Sequence, residues 1–301
     1  MVKFQRIFAA IDFSSGSDEA LRQAHERALS TWAKLAVCHI VPNELRSHLL
    51  FPHISRIASL NDPFELERVA ETASARVMEV TGRTRAEFDL IVDEGTPYAA
   101  ILTHAEKWLA DLIVAGSHGA AASAAGLRLG SVANKITQYA HCAVLIARPC
   151  RGTGGIVAGT DFSDPALPAL RAAAVEARRT KGDLTIVHSL DLVWPAAGVA
   201  SMALGGSPFN ISDEQVRTLE DLARQRLDDA LKQLHIQGQA FVTRGPAEIA
   251  LIETAAHLKA DLLVVGTVGR TGLRRLLLGS VAGTVVTEAP CSVLMVRRHP
   301  G

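Results

Sequence analysis

The chain has 301 residues, of which 48% are apolar and 21% charged; this is too hydrophobic for a disordered polymer and long enough for two domains of about 100–200 residues. Thirty-one basic residues balance thirty-one acidic ones, which leaves no global field to hold nucleic acid or an anionic membrane. The first residues carry no signal-peptide pattern, and no uncharged apolar stretch reaches the ~18 residues that span a bilayer, so a cytoplasmic protein with no membrane partner is expected.

In chain order, short apolar, β-branched runs predict strands at 4–11, 35–41, 88–92, 111–116 and 143–148, and again at 155–160, 184–189, 239–243, 261–266 and 292–297. The stretches 64–81 and 212–235 have apolar residues three and four apart, as core-facing helices do, and 281–288 reads as a further helix. Strands alternating with helices predict an α/β fold with parallel sheets and right-handed crossovers. Four cysteines, Cys38, Cys142, Cys150 and Cys291, stand singly; three lie in or beside apolar runs and read as buried reduced thiols.

The two sets of strands belong to an internal repeat. Ile11-Asp12-Phe13-Ser14 recurs as Thr160-Asp161-Phe162-Ser163, and His39 recurs as His188, both displaced by 149 positions. Gly95, Asp111, Gly116 and Gly119 match Gly245, Asp261, Gly266 and Gly269 at 150. Gly130-Ser131-Val132-Ala133 matches Gly279-Ser280-Val281-Ala282, and Cys142 matches Cys291, again at 149. The turn-rich Pro149-Cys150-Arg151-Gly152-Thr153-Gly154-Gly155 divides the halves, giving domains at 1–150 and 151–301, each a doubly wound sheet of five parallel strands.

Ligands of open parallel sheets bind outside the carboxyl ends of the strands. There the second half has Gly266-x-x-Gly269, nine intervening residues, then Gly279-Ser280 opening a helix. Glycines let backbone approach a phosphate, and a helix N-terminus offers unpaired N–H donors with about half a positive charge. The first half has ten residues between Gly119 and Gly130 and no counterparts to Arg270, Arg274 and Arg275, so weaker or no binding is expected there.

The G-x2-G-x9-G-S spacing resembles that of ATP-binding members of the universal stress protein family, and the likeness covers both halves. It implies two tandem Rossmann-like domains of the adenine-nucleotide α-hydrolase-like type, with ATP, AMP or another adenine nucleotide as ligand, Mg²⁺ accompanying it. It implies that Asp161 lies near adenine and ribose, and that Ser189 offers main-chain groups to adenine. Gly266 and Gly269 would lie against ribose and phosphate, and Gly279, Ser280 and Val281 would bind phosphates. The first-half counterparts are Asp12, Ile40, Gly116, Gly119, Gly130, Ser131 and Val132. By the same analogy the halves pack as an intrachain pseudo-dimer along 143–148 and 292–297, apolar strands that would otherwise be exposed edges. The resemblance also leaves room for a homodimer of whole chains.

Competing readings exist for each position. Asp12 and Asp161, each followed two residues on by serine, equally suit an Asx-turn or helix cap. His39 and His188 read as packing at a strand end, and Arg274 and Arg275 suit either solvent or an anionic ligand. His48 and His53 lack a Cys or carboxylate to complete a metal site. The segments 45–64 and 193–209 read as lids or partner surfaces.

The leading expectation is a stress-response protein acting by nucleotide-dependent binding rather than turnover. There is no G-x4-G-K-[S/T] loop and no evident base, although slow ATP hydrolysis stays open through a carboxylate such as Asp161. The alternatives are a partner-binding scaffold with empty glycine loops and an adenylating ligase, whose H-x-G-H or S-G-G-x-D-S signature is missing.

Overall fold

A computed structural model describes residues 4–42, 63–119, 129–149, 152, 154–163, 166–191, 212–233, 235, 237–267 and 278–297. The first half supplies strands β1 (Arg6–Ile11), β2 (Lys34–Pro42), β3 (Asp89–Gly95), β4 (Leu112–Gly116) and β5 (Ala143–Ala147). Its helices are α1 (Ser15–Thr31), α2 (Pro63–Thr81), α3 (Pro97–Lys107) and α4 (Ser131–Tyr139). The second half repeats the plan with β6 (Ile156–Gly159), β7 (Leu184–Leu190), β8 (Gln239–Arg244), β9 (Leu262–Gly266) and β10 (Ser292–Val296). Helices α5 (Leu167–Thr180), α6 (Asp213–Gln233), α7 (Ala247–His257) and α8 (Ser280–Glu288) accompany them. Each predicted strand and each of the three predicted helices is present, with ends moved by a few residues.

All ten strands form one sheet in the order β3-β2-β1-β4-β5-β10-β9-β6-β7-β8. Among the described residues pairing is parallel within each half and antiparallel only at the seam, where Val293, Leu294 and Met295 lie opposite Ile146, Leu145 and Val144. The expected pairing of the last strands is therefore what joins the halves. Central strands such as β1, β4, β5 and β10 are buried along nearly their whole length, as strands covered on both faces must be. One face packs against residues of α1, α2, α5 and α6, and the other against α3, α4, α7 and α8; both cores run unbroken across the seam.

The matched aspartates sit at the amino ends of the strands. Asp111 accepts from the backbone of Gln5 and Arg6, and Asp261 accepts from that of Gly152 and Gly154, fixing where β1 and β6 begin. Cys38, Cys142 and Cys291 are buried; burial pushes the first two thiols up to about 12, so they pack as small apolar groups, while Cys150 lies outside the described residues. Among the described residues no helix is long and apolar enough to cross a membrane.

Polar contacts reinforce the seam. Arg27 of α1 and Glu176 of α5 form an ion pair at 2.9 Å with each side chain only 4% exposed. Burial alone would raise the Glu176 carboxyl, but Arg27 and Arg179 together outweigh it and hold the group below the usual carboxylate range.

Candidate functional site

In each half the chain runs out along strands 1, 2 and 3 of that half on one side, then returns to the fourth on the other side of the first. The switch points fall between β1 and β4 and between β6 and β9, which pair side by side as Ala9 with Val114 and Ala158 with Val264. At such points the loops leave in opposite directions and open a crevice.

The turn after β1 is built by three residues. Asp12 accepts through Oδ1 from the backbone N–H and the hydroxyl of Ser14. Phe13 takes a left-handed φ of +63°, and Ser14 caps α1 by accepting from the Ser17 N–H at 3.2 Å. The second half reproduces this turn: Asp161 accepts from both groups of Ser163, and Phe162 has φ +60°. The aspartates are therefore turn formers, as the Asx-turn reading has it, and Asp12 also lines the first-half crevice. A non-glycine residue held in the left-handed region costs energy that the surroundings must supply. The surroundings here are His39 and His188, whose rings pack on Phe13 and Phe162 with centroids 4.4 and 4.2 Å apart. Nδ1 of each histidine bonds the carbonyl at the end of the neighbouring strand, Ile11 at 2.9 Å and Thr160 at 2.8 Å. These buried histidines thus clamp the turn, as the packing reading holds. The phenylalanines lay inside the repeated Asp-Phe-Ser run, the signal that sequence reasoning passed over.

Beyond the strand ends, the two glycine-capped helices match closely. Gly130 caps α4 with φ −60° and ψ 151°, and Gly279 caps α8 with φ −61° and ψ 153°. Gly130 N–H donates to Ser117 O and Gly279 N–H to Thr267 O, which folds each cap back onto the end of β4 or β9. The first intrahelical bonds come from Asn134 and Gly283, so the N–H groups of Ser131, Val132 and Ala133, and of Ser280, Val281 and Ala282, have no partner within their helices. A side chain at either cap would crowd a carbonyl, since a Cβ would stand 3.4 Å from Ser117 O at Gly130 and 3.3 Å from Thr267 O at Gly279. The cap fits a group approaching the bare backbone, as phosphate oxygens do.

Ser189 and Ile40 occupy the second strand of each half. The Thr160 N–H donates to Val187 O and the Gly245 N–H to Leu190 O, so along β7 odd residues face β6 and even residues face β8. The main-chain groups of Ser189 consequently turn toward the space past the end of β6, where the resemblance places adenine, while its hydroxyl donates to Gly245 O. In the first half, Asp12, His39, Ile40, Gly116, Gly119, Gly130, Ser131 and Val132 all line one cavity of about 520 Å³, closed on one side by Pro97 and Ile101 of α3. Every first-half candidate is thereby brought together. Gly119 lies against Asp12: a Cβ there would stand 2.4 Å from Asp12 Oδ2.

In the second half, Asp161, Ser189, Gly266, Gly279, Ser280 and Val281 occupy matching places. Gly269, Arg270, Arg274 and Arg275 lie outside the described residues, as do His48, His53 and all or most of 45–64 and 193–209. Among the described residues no group of three or more His, Cys, Asp or Glu is placed to hold a metal ion.

Fold and site together define a tandem pair of doubly wound α/β domains, each with a glycine-capped helix aimed at its switch point. The chain belongs to the universal stress protein family, whose model matches residues 3–148 and 154–297. A universal stress protein of Methanocaldococcus jannaschii is 32% identical over 143 residues, covering 48% of this chain and 81% of the relative. One from Mycolicibacterium smegmatis is 27% identical over 300 residues, 97% of this chain and 96% of its own length. Among solved structures, a universal stress protein of Archaeoglobus fulgidus covers 97% of this chain and 98% of its own, with a TM-score of 0.63 at 18% identity; that likeness establishes the fold.

Proposed function

We propose that this universal stress protein binds ATP or a closely related adenine nucleotide, with Mg²⁺ where a triphosphate is held, and acts in stress response through the bound state rather than by turnover. The observation that carries the reading is the pair of glycine caps, each presenting three N–H groups at a switch point beside an aspartate-built turn. In the second half, Gly279, Ser280 and Val281 take the phosphates, Gly266 and Gly269 lie along ribose and phosphate, and Asp161 and Ser189 meet ribose and adenine. The basic cluster Arg270, Arg274 and Arg275 makes this the tighter site. The first-half cavity, at about 520 Å³, lies within the range of roughly 300–1,000 Å³ common to small-molecule sites, and serves as a second, weaker one. Turnover is disfavoured because Asp12 and Asp161, the carboxylates of the two turns, each commit Oδ1 to two hydrogen bonds within the turn.

Calorimetric titration of ATP with Mg²⁺ into the full chain tests this. The wild type is expected to show one tight and one weak event; Gly279→Val/Ser280→Val removes the tight event and Gly130→Val/Ser131→Val the weak one. No heat, together with no nucleotide released from purified protein on denaturation, would leave the partner-binding scaffold in its place.

A further inference from the structure

The far ends of the two glycine-capped helices are held by residues from the other half. Arg148 follows β5 in the first half, yet its guanidinium donates to Val286 O at 2.7 Å and Thr287 O at 3.5 Å in the last turn of α8, and to Cys291 O at 3.2 Å between α8 and β10. Arg297 follows β10 in the second half, and its guanidinium donates to Thr137 O at 2.8 Å and Gln138 O at 3.1 Å, at the carboxyl end of α4. The two arginines lie 149 positions apart, as do Thr137 and Val286, and Gln138 and Thr287, among the carbonyls they reach, so the exchange is reciprocal. The antiparallel seam dictates it: the end of β5 lies beside the start of β10, the strand into which α8 feeds. The carbonyls of Thr137, Gln138, Val286 and Thr287 belong to the last turn, which has no intrahelical donors, and a cation there complements the helix dipole.

We propose that Arg148 and Arg297 are positioning residues acting across the seam, with Arg148 setting the second-half phosphate site through α8 and Arg297 the first-half site through α4. The inference rests on the reading of the glycine caps as phosphate sites. Each helix has nine residues, about 13 Å of rigid rod, so a guanidinium holding its last turn also fixes where the N–H groups of its first turn point. The two supports are unequal. Ser292 accepts from the Arg148 N–H at 3.0 Å and donates to its carbonyl at 3.1 Å, and Gln23 donates to that carbonyl at 2.9 Å. The matching positions around Arg297 hold Ala143 and Ala172, which have no such groups. Arg148 is the more firmly seated, so the second-half helix receives the stiffer support.

Amide hydrogen exchange on the full chain without ligand, paired with ATP titration, tests the crossing. Arg148→Ala is expected to speed exchange in 280–288 by about tenfold while leaving 131–139 near wild type, and Arg297→Ala to do the reverse with a smaller effect. Arg148→Lys, which keeps the charge, recovers part of the protection in 280–288. In titration Arg148→Ala weakens the second-half event by about three- to tenfold and spares the first-half event. Faster exchange in the half that carries the substitution, equally in both halves, or in neither overturns the inference, as does crossed exchange with unchanged affinity. Should the wild type bind no ATP, the nucleotide reading fails and the proposed site role with it, while a crossed exchange pattern would still identify the arginines as props across the seam.

Discussion

The two halves follow the same path of chain, and the seam is one place where they diverge. At positions 149 apart the first half has Arg27, Gln23 and Ala143 while the second has Glu176, Ala172 and Ser292. Arg27 and Glu176 face each other across the pseudo-two-fold axis, so two copies of either half would bring like charges together in a buried place. Fusion into one chain allows opposite charges at a position that identical subunits would have to fill with the same residue. The repeat thus keeps the Asp-Phe-Ser turn, the histidine clamp, the glycine cap and the crossing arginines Arg148 and Arg297, and differs at the seam positions 27/176, 23/172 and 143/292.

The most severe way to break this comparison is to remove one member of the buried pair. Glu176→Ala leaves Arg27 buried without its counter-charge and is expected to cost about 3–5 kcal/mol in urea unfolding. The reversal Arg27→Glu/Glu176→Arg should recover much of that loss; if it is as damaging as the single change, charge complementarity is not what the seam requires. The same carboxyl gives the pair a pH signature. Its folded pKa lies below the ordinary 4.5, so its contribution is fully present above about that pH and is lost as pH falls through the folded value. Unfolding followed across that acidic window should show a drop in the wild type that Glu176→Gln lacks.

A change confined to one crevice comes next. Gly119→Ala forces a Cβ against Asp12 and is expected to cost about 1–3 kcal/mol and to weaken only the first-half titration event. An equal loss at both events would mean that the crevices are less independent than their separate loops suggest.

The smallest effect sharpens the comparison at the turns themselves. Ser14 caps α1, which begins at the next residue, whereas α5 begins only at Leu167, and its capping residue, Ala166, makes no side-chain bond. Ser14→Ala should therefore lower stability by about 1 kcal/mol and Ser163→Ala by less, measured as paired thermal unfolding curves.

Much of this was legible in the residues alone. Apolar runs located the eight inner strands because a strand covered on both faces has no polar side to show, while the edge strands β3 and β8 carry shorter apolar runs and are only partly buried. The near-constant displacement located two matching turns and glycine caps, since a turn and its copy keep the same backbone. Less legible was anything that depends on which strands become neighbours. Arg148 and Arg297 read as basic residues after a strand, and Arg27 and Glu176 as ordinary helix charges, because nothing in their local spacing says that the last strands pair antiparallel. The place of Asp12 and Asp161 was similarly open: Asp-x-Ser is sound capping chemistry anywhere, and only the switch point puts it beside a crevice.

The sequence by itself determined the elements, their order, the repeat and the glycine-capped helices, because these follow from hydrophobic period and from backbone conformations that few residues tolerate. The folded chain added the antiparallel register of the last strands, the meeting of Arg27 with Glu176, and the closing of each half's helix by the other half's arginine. Those contacts join residues more than a hundred positions apart, and it is the antiparallel register of β5 and β10 that brings them within hydrogen-bonding distance.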